Sequence, residues 1–443
     1  MKLLLRWGGL AVLLAGCVVV FAVREARAEN WGHWRGPSFN GSTTESGLPV
    51  SWSTTENVAW VAPLPGFSGA TPVVWGERVF LTSPDADKNL LLICLNRQDG
   101  KVVWQQTVAV GNREKGRNNM ASPSPVTDGK RVFVIFGTGD LAAYDFSGKQ
   151  LWARNLGKEY GRFANMWLYG SSPLLFEGKL YVQVLERNPP PADYTAAIDD
   201  KPERESYLLC VDPKTGKNLW RQVRPTEAKK ESQESYASPI PGYGGGKAAE
   251  IIIVGGNCTT AHSAKTGAEL WRCGGLNSKD DSYFRIVPSP VVADGMIIAC
   301  APKKEPVFGI KDGGKGLVTE TRVAWSFKEF PSDCCTPLYY QGKLFVLDGD
   351  KQMMTCLDPK TGVKHWQGSM GTREIFRASP TGADGKIYCI SENGTAVVLS
   401  AGDEFKILAT IPMGGEPVRS CIAVSGGQLF IRTGQNLYCV GKK

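Results

Sequence analysis

Chemistry in this sequence has few residues to draw on. Only three histidines are present, His33, His262 and His365, so a histidine-centred metal site or a Ser-His-Asp triad has little material, and all three are expected to be structural. Cysteines number 12, yet no two have zinc-finger spacing, and no Cys-x-x-Cys-His haem attachment occurs. Cys258 and Cys273 flank a turn centred near Lys265-Thr266. They stand about equally far along two antiparallel strands, which predicts a cross-strand disulfide in an oxidising compartment. The run Gly242 to Gly246 lacks a following Lys-Ser/Thr and helix, so it reads as a hairpin turn rather than a phosphate loop.

The polar residues best placed to act together stand just ahead of a recurring short strand. They are Arg117, Asn119, Trp167, Tyr169, Glu234, Tyr236, Asp281, Tyr283, Arg285, Asp333, Arg373, Arg377 and Arg419. Brought to one end of a common axis, these side chains could bind an anionic small molecule or a peptide, or could form a solvated rim of ion pairs. The aromatic members, Trp167, Tyr169, Tyr236 and Tyr283, would also suit a carbohydrate. No residue is assigned a catalytic role, and no metal ligands are assigned.

A repeat positions them. It begins with Ser/Thr-Pro and an apolar strand, turns at Gly and continues into a second strand, as in Ala70-Thr-Pro-Val-Val followed by Glu77-Arg-Val-Phe-Leu. Counterparts start at Ser124-Pro125, Ser172-Pro173, Ser238-Pro239, Ser289-Pro290, Thr336-Pro337, Ser379-Pro380 and, with the proline replaced, Ser420-Cys421-Ile422. A third strand ends near Leu/Val-Asp, and a fourth closes on Trp after a tight turn, as in Cys210-Val-Asp-Pro-Lys-Thr-Gly216 running to Trp220. In such a turn Asp bonds backbone groups two residues on and Gly supplies positive φ. The closing residues are Trp104, Trp152, Trp220, Trp271, Trp325 and Trp366; the seventh unit has Phe405 and Ile407 instead. The eighth unit stops after three strands, leaving an edge that needs pairing. Asn57-Val-Ala-Trp60 has the character of the missing strand, so the N-terminus is expected to close the ring. The fold class is therefore all-β: an eight-bladed propeller of four-stranded antiparallel blades. Cys94, Cys210, Cys356 and Cys439 share a repeat position with Ala143 and Ala261, which marks a small buried site.

The Ala/Cys-x-Asp-x-x-Thr-Gly-x-x-x-Trp pattern resembles the tryptophan-docking repeat of pyrroloquinoline-quinone (PQQ) proteins, a superfamily that includes quinoprotein alcohol dehydrogenases and the BamB-like assembly factors. The resemblance covers nearly all of residues 50–443, and Trp31-Gly-His-Trp-Arg-Gly-Pro37 is similar to the start of PQQ-like bacterial propellers. Neither a kelch Gly-Gly doublet nor a WD40 Gly-His…Trp-Asp pair recurs. For an enzyme, the resemblance implies PQQ and Ca²⁺ over the central channel, an Asp base, carboxylate and amide metal ligands, and often a vicinal disulfide. Cys334-Cys335 is the one such feature to which the sequence points. It precedes the sixth blade, whereas the dehydrogenases carry their pair early in the chain. It reads as a redox or cofactor-covering disulfide, or as two thiols in a packed loop.

Residues 1–28 read as a signal peptide: Lys2 and Arg6 precede the apolar run Leu10 to Val23, and Ala26-Arg27-Ala28 offers a cleavage site. Leu14-Ala15-Gly16-Cys17 also resembles a lipobox, which would leave a lipid anchor at Cys17; an uncleaved membrane anchor is a third reading, though its apolar run is short for a spanning helix. Removing this segment lowers the formal charge from +8 to about +5, and no basic stripe marks a nucleic-acid surface. The domain expected is 29–443, with 29–56 as lead-in. A proline-rich insertion from Glu186 to Ser206 interrupts the third blade. The reading is a monomeric, non-catalytic propeller in the periplasm or cell envelope, binding a protein or peptide partner without a cofactor, as in BamB-like outer-membrane protein assembly. The alternative is a PQQ- and calcium-dependent alcohol or sugar dehydrogenase, against which stand the short loops between blades.

Overall fold

The computed structural model describes residues 29–190, 204–246 and 249–442. Residues 1–28, with Cys17, and most of the blade 3 insertion lie outside them. Eight antiparallel sheets radiate from a central channel as blades, each of four strands in chain order from axis to rim. Blade 8 is completed by Val58–Pro63, which pairs with Asn436–Val440 and so closes the ring with a strand from the opposite end of the chain. Blade 4 carries a fifth strand, Gly316–Leu317, parallel to its outer edge.

Burial follows position in the blade. In blade 1 the two middle strands, Arg78–Pro84 and Asn89–Asn96, are buried along almost their whole length, because a neighbouring blade covers each face. They accordingly read as continuous apolar runs, whereas the outer strand Val102–Val110 alternates between exposed and half-buried residues. The core is thus a series of layers between blades, such as Ile252, Val254 and Trp271 of blade 4 against Ile297, Ala299 and Ile310 of blade 5.

The closing tryptophans fasten these layers. Each lies directly across from a small residue on the third strand: Cys94 opposite Trp104, Ala143 opposite Trp152, Cys210 opposite Trp220, Cys356 opposite Trp366, Cys439 opposite Trp60. The ring then extends over the turn glycine of the following blade. A Cβ on Gly100, Gly148, Gly216, Gly267 or Gly362 would come within 3 Å of the ring of Trp60, Trp104, Trp152, Trp220 or Trp325 respectively, and all five glycines have positive φ. The indole N–H of Trp60, Trp104, Trp152, Trp325 and Trp366 donates to a backbone carbonyl in the next blade. Trp271 departs from this pattern, donating within its own blade to Glu250. In blade 7 the docking place is held by Ala409, opposite Val398, while Phe405 packs on Trp366.

A β-bulge at the docking position recurs in the blades, and it corrects one expectation. In blade 4 the bulge between Ala261 and His262 advances the register by one residue, so that Cys273 faces Thr259, not Cys258. Successive strand residues point to opposite faces, and both Cys258 and Cys273 are free thiols. The turn position alone gave a register that ignores the extra residue.

Candidate functional site

The residue before each inner strand's proline builds a belt around the channel. The backbone N–H of Thr71 donates to the Ser124 hydroxyl at 2.9 Å, Ser124 to Ser172 at 3.0 Å, Ser172 to Ser238 at 2.9 Å, Ser238 to Ser289 at 2.8 Å, Ser289 to Thr336 at 2.9 Å and Thr336 to Ser379 at 2.9 Å. Cys421 N–H closes onto Thr71 at 3.0 Å. Proline at the next position gives up an N–H that the belt does not need. The eighth link is missing, because Cys421 stands where the other blades have a hydroxyl.

The lead-in seals the channel from the other end. Trp31 exchanges two backbone hydrogen bonds with Val74 of blade 1, Gly32 accepts from Thr127 of blade 2, Asn40 from Tyr339 of blade 6, and Thr43 donates to Gly382 of blade 7. At its centre Arg35 is wholly buried and donates to the carbonyls of Pro337, Pro380 and Asn40 at 2.8–2.9 Å. Burial lowers its pKa, partly offset by Cys421. No carboxylate pairs with it among the described residues. His33 beside it is held neutral, its pKa lowered to about 3 by burial and by Arg35.

Above this plug lies a cavity of about 310 Å³, with Trp34 among its lining residues, the belt as its wall and the loops ahead of the inner strands as its mouth. Of the thirteen rim residues expected from the sequence, Arg117, Trp167, Tyr236, Arg285, Asp333, Arg377 and Arg419 line it. Their charges are matched. Arg117 and Arg419 both donate to Glu392, at 2.6 and 3.0 Å. These bonds outweigh burial and hold the Glu392 carboxyl below its ordinary range. Arg377 donates to Asp350 at 2.6 Å, and Arg285 lies 3.5 Å from Glu231 and 4.0 Å from Asp333. Trp167 donates to Glu231 at 2.9 Å.

The other six do not reach the cavity. Glu234 is buried behind it, accepting from Tyr236 at 2.6 Å and from Met166 N–H at 2.8 Å, and so holds Tyr236 against the wall. Burial raises the Glu234 carboxyl despite these bonds and Arg187. Asn119 bonds the Phe67 carbonyl, and Tyr169 donates to the Gln183 carbonyl in the core between blades. Asp281 pairs with Lys303, Tyr283 lies half exposed beneath Lys230 and Lys303, and Arg373 is exposed. Cys334 lines the cavity and Cys335 is buried beside it; both are free thiols. Burial, reinforced by Asp333, pushes the Cys334 thiol up to about 12, so it is an inert thiol rather than a nucleophile.

Sequence reasoning missed Trp34 and the belt. The Ser/Thr of each Ser/Thr-Pro was in view as repeat punctuation, but nothing in the strand pattern says that its hydroxyl turns to the axis. Trp34 lies outside the repeat altogether.

Calcium takes six to eight oxygen ligands. The cavity has Asp333 as its only lining carboxylate, and among the described residues no group of three or more His, Cys, Asp or Glu is placed to hold a metal ion. A calcium-bound PQQ in this cavity would thus find one lining carboxylate, Asp333, beside the Asn118 amide and the belt hydroxyls. Among the described residues no helix is long and apolar enough to cross a membrane.

A family model described as outer membrane protein assembly factor BamB matches residues 35–182 and 204–439. No curated protein matches the chain. Among solved structures, the quinohemoprotein alcohol dehydrogenase of Comamonas testosteroni superposes with a TM-score of 0.66 at 11% identity, covering 94% of this chain and 81% of its own. BamB of Moraxella catarrhalis gives 0.57 at 13%, covering 86% and 98%. A europium-containing methanol dehydrogenase gives 0.65 at 11%, covering 92% and 90%. At these identities the likeness is one of fold, shared by enzymes and assembly factors alike.

Proposed function

Because the chain belongs to the family of the outer membrane protein assembly factor BamB, we propose that it is a non-catalytic, exported propeller of the cell envelope that binds a protein or peptide partner at the mouth of its sealed channel. One observation carries this reading. Arginine, aromatic and hydroxyl side chains from different blades converge on a single cavity that is closed below by the chain's own lead-in. Such a set recognises polar groups of a ligand by hydrogen bonding and stacking.

The test has two arms. Arg285→Ala and Arg377→Ala should abolish cross-linking of an envelope partner from photoreactive groups placed around the mouth, while deletion of 189–203 should not. The second arm titrates the protein with PQQ and Ca²⁺ and follows dye-linked oxidation of alcohols and sugars. Stoichiometric binding with turnover would overturn the non-catalytic reading. Cross-linking lost only with the deletion would move the partner to the outer loops.

A further inference from the structure

Every hydrogen-bonding group that faces the cavity from the belt has a spare proton. The seven belt hydroxyls each accept a backbone N–H, and each is at least 94% buried. A hydroxyl that accepts still has its O–H to donate, and no acceptor among the described residues takes any of these seven. Two of the lining residues also carry a buried N–H without a partner, Trp34 at Nε1 and Arg377 at Nη1. A buried donor left unsatisfied costs about 1–3 kcal/mol. A cavity with this many is complementary to a ligand rich in acceptors.

Charge narrows the class. The four rim arginines face four carboxylates, those of Glu392, Glu231, Asp333 and Asp350. Arg35 is the surplus. It is bonded to the carbonyls of Pro337 and Pro380, each one residue past a belt hydroxyl that lines the cavity. One uncompensated positive charge beneath a ring of donors calls for one negative charge above it.

We propose that the belt and Arg35 form an oxyanion well that receives a single carboxylate, either the free C-terminus of a peptide or a small organic acid. The proposal rests on the mouth being the binding site and adds what is recognised there. It calls for no calcium, and no bond is made or broken.

Calorimetry on the purified protein tests it with four probes: acetyl-Gly-Gly-Ala as the free acid, the same peptide as its C-terminal amide, sodium acetate and inorganic phosphate. The free acid is expected to bind at least tenfold more tightly than the amide. Trp34→Phe, which removes the unbonded N–H together with part of the ring that Arg35 lies over, should weaken the acid about fivefold, the factor of one hydrogen bond. Acetate binding as tightly as the peptide acid assigns the well to small organic acids; peptide acid alone assigns it to chain termini. Phosphate binding more tightly than either carboxylate would overturn the single-charge assignment. Acid and amide binding equally, or neither binding, would overturn the well itself. In the first of these cases, loss of both in Arg285→Ala and Arg377→Ala would leave the mouth as a binding site without the carboxylate preference.

Discussion

Two glycines of blade 6 separate the docking of one blade on the next from the backbone cost of a turn. Gly342 and Gly362 have φ of 75° and 70°. A Cβ on Gly342 meets nothing within 4 Å, whereas on Gly362 it falls 2.6 Å from the Trp325 ring, where ordinary contact begins near 3.4 Å. Both alanine variants lose left-handed backbone freedom, at about 1–2 kcal/mol each. Gly362→Ala must also push the indole outward. That strains the layer by about 1–3 kcal/mol and loosens the 3.0 Å bond from Trp325 to the Pro359 carbonyl, worth about 1 kcal/mol. The ring has no room to retreat, because Gly309 of its own blade lies against its other side. Gly362→Ala is therefore expected to be less stable than Gly342→Ala by about 2–4 kcal/mol, the sum of the last two terms. Urea denaturation read by tryptophan fluorescence measures this as a difference in midpoint at constant m-value. A difference below about 0.5 kcal/mol would mean that the tryptophan does not clamp the blades, since the clash and the lost bond together require several times that.

Other outcomes follow from the plug and the core. His33 and His262 are buried and neutral, with pKa values lowered to about 3 and about 4, chiefly by burial. The unfolded chain takes up protons near 6.5 while the folded state resists, so stability is complete above that pH and falls as pH drops towards 4. At pH 5 the loss is about 2 kcal/mol per histidine, and denaturation midpoints that do not change between pH 8 and 5 would contradict it. Arg35→Met leaves the Pro337, Pro380 and Asn40 carbonyls without their donor and should cost about 2–4 kcal/mol; a midpoint equal to the parent's would show that the plug does not stabilise the ring. Unfolding without reductant should release eleven reactive thiols beyond Cys17, whereas nine would mean that one pair, Cys258 with Cys273 or Cys334 with Cys335, is bridged.

The fold was legible because its repeat is enforced at many places at once. Ser/Thr-Pro, the turn glycine and the closing Trp each have a steric reason to recur, and together they locate every blade, including the one shared by the two ends of the chain. The bulge was not legible, since an extra residue in an outer strand leaves no mark on the hydrophobic pattern, and with it went the Cys258–Cys273 pairing. The site was half legible. Position ahead of an inner strand brought Arg285 and Arg377 to the cavity but could not tell them from Tyr169, which turns into the core, or Glu234, which lies behind the wall. Trp34 and Arg35 could not be placed from the repeat, because they belong to none.

Strand Val58–Pro63 is among the first parts of the propeller to be synthesised, and Asn436–Val440, its partner, is among the last. The final blade therefore has to wait until Asn436–Val440 is made, with one edge held open until that strand arrives. Contacts of such separation are slow to form, and in the interval the unpaired edge is open to other chains. Loss of Asn436–Val440 would remove the strand that joins Val58–Pro63 to the rest of blade 8. A stop codon ahead of Asn436 should thus act as a failure to close, leaving a horseshoe that invites aggregation or proteolysis.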